Sequence, residues 1–310
     1  MTKKNKFFTI VFISFICLVL VEVVLRFKGI GSNNIIYYSS NYYGYYQLPD
    51  QKIKRRGNYI TLDSLGNRNP KLNTLENSSL IFLGDSITYG GSVVNDNEIF
   101  SNLVANKMNV EFLNISSNGW GIPNIINFLD FHNLYKENST YILTCINDCY
   151  FRNLRKIEQN FFVSKRDNLG ISVLIRYFIF NLLKNSYSID ENVISEKFDN
   201  LKTADASVKS LSIFKKKLFD LNSRLIIIHS PNKERMKDLI LDKNLHEKYS
   251  RKSILNIFSR YNLQLFEITD YFNEKQIENF AHFFVDSVHL NKQGHKMYAE
   301  IIFKLINENQ

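Results

Sequence analysis

Five short apolar runs recur from Leu80 onward, at Leu80–Leu83, Val110–Ile115, Tyr141–Ile146, Leu225–Ile228 and Leu263–Ile268, with stretches of helical spacing between and after them. Leu211, Phe214, Leu218 and Leu221 share one helical face, as do Tyr298, Ile301, Ile302 and Leu305. A strand that is apolar throughout must be covered on both faces, and strands that alternate with helices are joined by parallel crossovers. The alternation predicts an α/β fold, a parallel sheet between two layers of helices. Sheets of this kind bind ligands beyond the carboxyl ends of their strands, so the loops there are where chemistry is sought.

Ahead of this region, Phe7 to Leu25 is apolar except for Thr9, Ser14 and Glu22. As a helix it spans roughly 28 Å, enough to cross a bilayer. Lys3, Lys4 and Lys6 before it and Arg26 and Lys28 after it favour a cytoplasmic N-terminus only slightly. No small-x-small cleavage site follows, so an uncleaved anchor is expected in preference to a signal peptide, and either one exports the rest of the chain. The expected plan is an anchor over 1–28, a connecting arm over 29–78 and one α/β domain over 79–310, with a helical insertion at about 150–222. Within the insertion, Ile171 to Leu183 is apolar but interrupted by Arg176, which suits an amphipathic helix better than a second span.

The net charge of +9 comes from Lys and Arg spread along the whole chain, which points to a basic solvated surface and away from nucleic-acid binding. The arm gathers Tyr37, Tyr38, Tyr42, Tyr43, Tyr45 and Tyr46, then Lys52, Lys54, Arg55 and Arg56. Tyrosines stack on sugars and arginines bind acidic groups, but packing of the arm onto the domain, or placement at the membrane interface, is the expected use. Cys145 and Cys149 would lie about 13 Å apart on extended chain, beyond the roughly 7 Å that a bridge tolerates. Two buried thiols are therefore expected, and with no His nearby in sequence they make no metal pair.

The loops after the strands hold the reactive groups. Gly84-Asp85-Ser86 closes the first run, Asn114 to Gly121 follows the second with Gly119 available for close backbone approach, and Asn147-Asp148 follows the third. Near the C-terminus Asp286 and His289 stand three residues apart. A serine hydroxyl needs a base, and the base needs an orienting acid, so Ser86, His289 and Asp286 supply the parts of nucleophilic catalysis. The backbone N–H groups of Ser86 and Gly119 and the Asn147 amide are candidate oxyanion donors, and Asp85 is a loop-fixing support. His132, His229, His246, His282 and His295 are expected to be surface or packing residues.

These blocks, in this order, resemble those of the SGNH (GDSL-type) hydrolase superfamily over roughly Leu80 to Ile306. The resemblance implies a flavodoxin-like three-layer sandwich with strand order 2-1-3-4-5 and a metal-independent, cofactor-free site. Ser86 would be the nucleophile, Gly119 and Asn147 oxyanion donors, His289 the base and Asp286 its orienter. Cys145 stands where the family's third block has Gly. In the arm, Asp63-Ser64-Leu65-Gly66-Asn67-Arg68 resembles an Asn-x-x-Gly-x-Arg stretch of membrane-anchored members, with Asp63 in place of the Asn. The implied activity is that of a membrane-anchored esterase, held by Phe7–Leu25 with its domain outside, acting on acyl groups, O-acetyl among them, of a cell-envelope glycan. An acyltransferase with a sugar hydroxyl as acceptor and a non-catalytic envelope glycan-binding protein are the alternatives.

Overall fold

The structure, a computed structural model, describes residues 3–27, 34–71, 74–146, 149–157, 169–175, 178–179, 196–233, 251–275 and 279–308. Nine strands are described: β1 (Tyr37–Ser40), β2 (Gly44–Gln47), β3 (Lys52–Arg55), β4 (Asn58–Thr61), β5 (Ser78–Gly84), β6 (Glu111–Ser116), β7 (Thr140–Ile146), β8 (Arg224–Ser230) and β9 (Phe266–Glu267). The last five form one parallel sheet in the order β6-β5-β7-β8-β9. Counted within the sheet this is 2-1-3-4-5, a flavodoxin-like α/β sheet whose order reverses between β5 and β7.

Burial explains the unbroken apolar runs. Leu80, Ile81, Phe82 and Leu83 are each at most 2% exposed, so β5 is covered on both faces. Alternate residues go to opposite sides. Ile81, Leu83, Leu113 and Leu143 pack with Trp120, Phe128, Phe214 and Leu218, while Leu80, Phe82, Phe112 and Ile142 pack with Phe100, Tyr298 and Ile302. Two strands are shorter at their starts than their apolar runs predict, for one reason. Val110 and Leu263 are spent on closing the helices before them: each N–H reaches back five residues, Val110 to Ala105 O and Leu263 to Phe258 O, both at 3.0 Å. Asn109 and Asn262 provide the left-handed residues (φ 54° and 52°) that this helix ending needs. The expected strand Leu263–Ile268 is observed only as Phe266–Glu267: Leu263 closes the helix before it and Ile268 opens the next one.

The arm packs onto the domain as two antiparallel hairpins, β1–β2 and β3–β4. Tyr46 stacks on Trp120 with ring centres 4.7 Å apart, the Trp120 indole N–H donates to Tyr45 O, and Gln47 Nε2 donates to Ser116 O at the end of β6. Tyr43, Tyr45 and Tyr46 are buried, whereas Tyr42 is exposed.

The N-terminal helix α1 runs from Lys3 to Phe27. Its apolar part, Asn5–Phe27, is 23 residues long with its side chains turned outward, about 35 Å against a hydrocarbon core of about 30 Å. Near its end Glu22 pairs with Arg26 and accepts the N–H groups of Gly170 (2.9 Å) and Ile171 (3.0 Å), capping a helical stretch that begins at residue 170. The rest of the expected Ile171–Leu183 helix lies partly outside the described residues.

The expectation of two separate thiols is overturned: Cys145 and Cys149 form a disulfide with their Cα atoms 5.9 Å apart. The 13 Å separation assumed continued extension, but β7 ends at Ile146 and Cys149–Phe151 is a 3-10 turn, so the chain folds back.

His295 is a packing histidine. It is buried beside the Phe100 ring, and its Nδ1 accepts the Phe100 N–H at 3.3 Å. Burial, helped by nearby Arg68, lowers its pKa to about 3. Between about 6.5 and about 3 the unfolded chain holds this proton and the folded chain does not, so stability falls with falling pH by up to about 1.4 kcal/mol per unit. Thermal melts of the full chain from pH 7 to 4 are expected to show a shallower loss of stability in His295→Gln than in the native chain; equal slopes would contradict this.

Candidate active site

The turn after β5 is built around close contacts. Gly84 allows it: a Cβ there would lie 2.2 Å from both Thr144 O and Thr88 Oγ1. Ser86 opens the one-turn helix α2 (Ser86–Tyr89), and Asp85 caps it by accepting the Ile87 N–H at 3.1 Å. The Asp85 carboxylate is fully buried and also receives the Ile146 N–H (3.4 Å) and Arg152 Nη1 (3.3 Å), whose charge balances it. Thr88 Oγ1 donates to Thr144 O, and Asn114 Nδ2 donates to Thr88 O, both at 2.8 Å. The turn is thus tied to β7 on one side and β6 on the other, which leaves Ser86 partly exposed at the strand end, beside the point where the sheet order reverses.

The loop after β6 carries Gly119 at φ 76°, a left-handed conformation that glycine adopts freely. Its N–H donates to no described residue. The arm holds this loop: Tyr45 OH donates to Asn118 O, and Asn118 Nδ2 donates to Tyr37 OH at 2.8 Å. Burial pushes the Tyr37 phenol up to about 12, against the lowering effect of the Asn118 bond, so it stays neutral.

Asp286 and His289 form a compact turn. Asp286 Oδ1 accepts the N–H groups of Val288 (2.8 Å) and His289 (2.7 Å), while Oδ2 meets His289 Nδ1 at 2.8 Å. Burial raises the Asp286 pKa, but the bonds from the His289 backbone and ring and from the Val288 backbone outweigh it and hold the carboxyl below its ordinary value. An ionised carboxylate on Nδ1 keeps the proton there and leaves Nε2 as the basic nitrogen.

Ser86, Gly119, Asp286 and His289 all line one cavity of about 560 Å³, together with Ile35, Tyr37, Arg55 and Arg56 from the arm. The Ser86 hydroxyl makes no hydrogen bond to a described residue, and serine–histidine contacts of this kind often close only around substrate. The Asn147 side chain, expected as an oxyanion donor, lies outside the described residues; the disulfide from Cys145 to Cys149 brackets its position. Arg152 and the arm residues on the cavity were not expected at the site. Arg68 had a sequence signal, the Asp63–Arg68 block. It is fully buried, pairs with Asp96 at 2.9 Å and donates to the Tyr89, Gly91 and Val94 carbonyls, each at 2.8 Å. It therefore fixes the segment after α2, of which Gly91, Ser92 and Val93 line the cavity.

No family model matches the sequence, and no curated protein matches it. The structure is similar to that of a member of the lipolytic protein G-D-S-L family from Veillonella parvula, at 15% identity and a TM-score of 0.41, covering 74% of this chain and 97% of that one. It is also similar to a two-domain esterase active on acetylated mannans, at 16% identity and TM-score 0.42 over 74% and 49% of the two chains. An acetyl xylan esterase is similar at 14% identity and TM-score 0.40 over 73% and 98%.

Proposed function

We propose that this chain is a serine hydrolase of the SGNH type, anchored in a membrane by α1, that removes O-acyl groups, acetyl among them, from a cell-envelope glycan on the extracytoplasmic side. The observation that carries the reading is the convergence of Ser86, Gly119 and the hydrogen-bonded Asp286–His289 pair on one cavity at the carboxyl edge of the sheet.

In this reading His289 Nε2 takes the Ser86 proton as Oγ bonds to the acyl carbon, and Asp286 stabilises the imidazolium. The oxyanion is received by the N–H groups of Ser86 and Gly119 and by the Asn147 amide, each worth about 3 kcal/mol of barrier. The acyl carbon–oxygen bond to the sugar then breaks, and the departing oxygen takes the proton from His289. Water, deprotonated by the same nitrogen, attacks the acyl-Ser86 ester and frees the carboxylic acid and the serine. The length of α1 supports anchoring, and the disulfide supports an oxidising compartment.

The test is acetate release by the full chain in detergent, from p-nitrophenyl acetate and from O-acetylated glycans, beside Ser86→Ala. Ser86-dependent release is expected. Equal release by folded native and variant protein would sink the reading.

A further inference from the structure

The cavity beside Ser86 has a cationic wall. Arg55, Arg56 and Arg155 line it, and the one carboxylate on the described lining, Asp286, is taken by His289. Neither Arg55 nor Arg56 makes an ion pair or a side-chain hydrogen bond to another described residue. Arg55 is nevertheless half-buried, and its desolvation is strong enough to lower its pKa. A guanidinium withdrawn from water with no acidic partner among the described residues is unfavourable, and an anion arriving in the cavity relieves that cost.

The backbone that carries these arginines is also specialised. Arg56 and Gly57 make the two-residue turn between β3 and β4 with φ of 50° and 86°. Such a turn favours Asn or Gly at its first position, and an arginine there stores strain of order 1 kcal/mol. The hairpin is pinned to the rim of the cavity by Asn58 Nδ2 donating to Ser92 O (3.0 Å) and by the Tyr59 N–H donating to Asn95 Oδ1 (2.9 Å). A strained, charged turn is thus held at the lip of the nucleophile's cavity.

We propose that the ester acted on is borne by an acidic glycan, whose carboxylate or phosphate is bound by Arg55 and Arg56 while Ser86 engages the acyl carbon. This inference rests on the hydrolase reading for its chemistry and on the arginine wall for its selectivity. A neutral acetylated polysaccharide is then a poor substrate.

The experiment compares kcat/KM of the full chain for O-acetylated polygalacturonate, an O-acetylated glycerol phosphate polymer and O-acetylated xylan. At least one acidic polymer is expected to exceed xylan by about 10- to 100-fold, the range of one or two charge-assisted hydrogen bonds, and whichever does so identifies the carboxylate or the phosphate as the anion. In the double variant Arg55→Gln/Arg56→Gln that ratio falls towards one. Arg56→Gly lowers it as well without lowering the melting temperature, since glycine suits the turn, so loss of selectivity there is not loss of fold. A native ratio near one, or a ratio unchanged in both variants, overturns the inference. Binding of unacetylated oligogalacturonate and glycerol phosphate oligomers to Ser86→Ala reads the arginines without turnover. If no ester is cleaved, the hydrolase reading fails by itself. Arginine-dependent binding then still supports an acidic ligand, and absence of binding overturns it.

Discussion

Ser86→Ala is expected to lower kcat/KM for any ester the chain cleaves by at least about a thousandfold, because in the proposed mechanism the acyl intermediate forms on the Ser86 hydroxyl. Its effect on folding is small. The Ser86 hydroxyl bonds to no described residue, and the turn around it is held by Gly84, Asp85, Thr88 and Asn114. Activity and stability should therefore separate: ester turnover disappears while the melting temperature stays within about a degree or two, as for a surface substitution. A variant that keeps more than a tenth of native kcat/KM would remove Ser86 from the chemistry.

The second large effect is on stability. Arg68→Ala leaves the largely buried Asp96 carboxylate without its cation and three carbonyls, those of Tyr89, Gly91 and Val94, without their donor. Breaking a buried pair from one side costs about 3–5 kcal/mol, a large part of the 5–15 kcal/mol that a domain has in total. Arg68→Lys is expected to rescue little, since one ammonium cannot span the Asp96 oxygen and carbonyls that a planar fork reaches together. Thermal unfolding of the detergent-solubilised full chain measures both variants. Because the clamped segment also walls the cavity, Arg68 variants that do fold should bind substrate more weakly. A loss below about 1 kcal/mol in Arg68→Ala would contradict the clamp, being no more than an exposed ion pair contributes.

What was legible in the sequence is what depends on near neighbours. The apolar runs of β5 to β8 and the helical faces of Phe214 and Tyr298 declared themselves, because burial on both faces leaves a continuous hydrophobic signature. Gly84-Asp85-Ser86 and Asp286-x-x-His289 were equally legible, since each is one turn whose parts are adjacent in the chain. Features set by where the chain goes next were not. The Cys145–Cys149 bridge depends on β7 stopping at Ile146. Leu263 and Val110 read as strand, but their backbone N–H groups close helices. The tyrosines of the arm were read as packing residues, and Tyr43, Tyr45 and Tyr46 are that. Tyr37 reaches the cavity with the β1–β2 hairpin, which the stacking of Tyr46 on Trp120 holds, and Arg55 and Arg56 reach it with the β3–β4 hairpin, which Asn58 and Tyr59 tie to Ser92 and Asn95; these contacts across some thirty-five to seventy residues are ones that no local pattern displays.

The central claim is that Ser86 is an activated nucleophile served by His289. Its most direct test is covalent labelling of the full chain with a fluorophosphonate, followed by peptide mapping. The account predicts a single adduct on Ser86, formed rapidly in the native chain, much more slowly in His289→Ala and not at all in Ser86→Ala. Folded native protein that remains unlabelled, or that labels elsewhere at the same rate with and without His289, would contradict it.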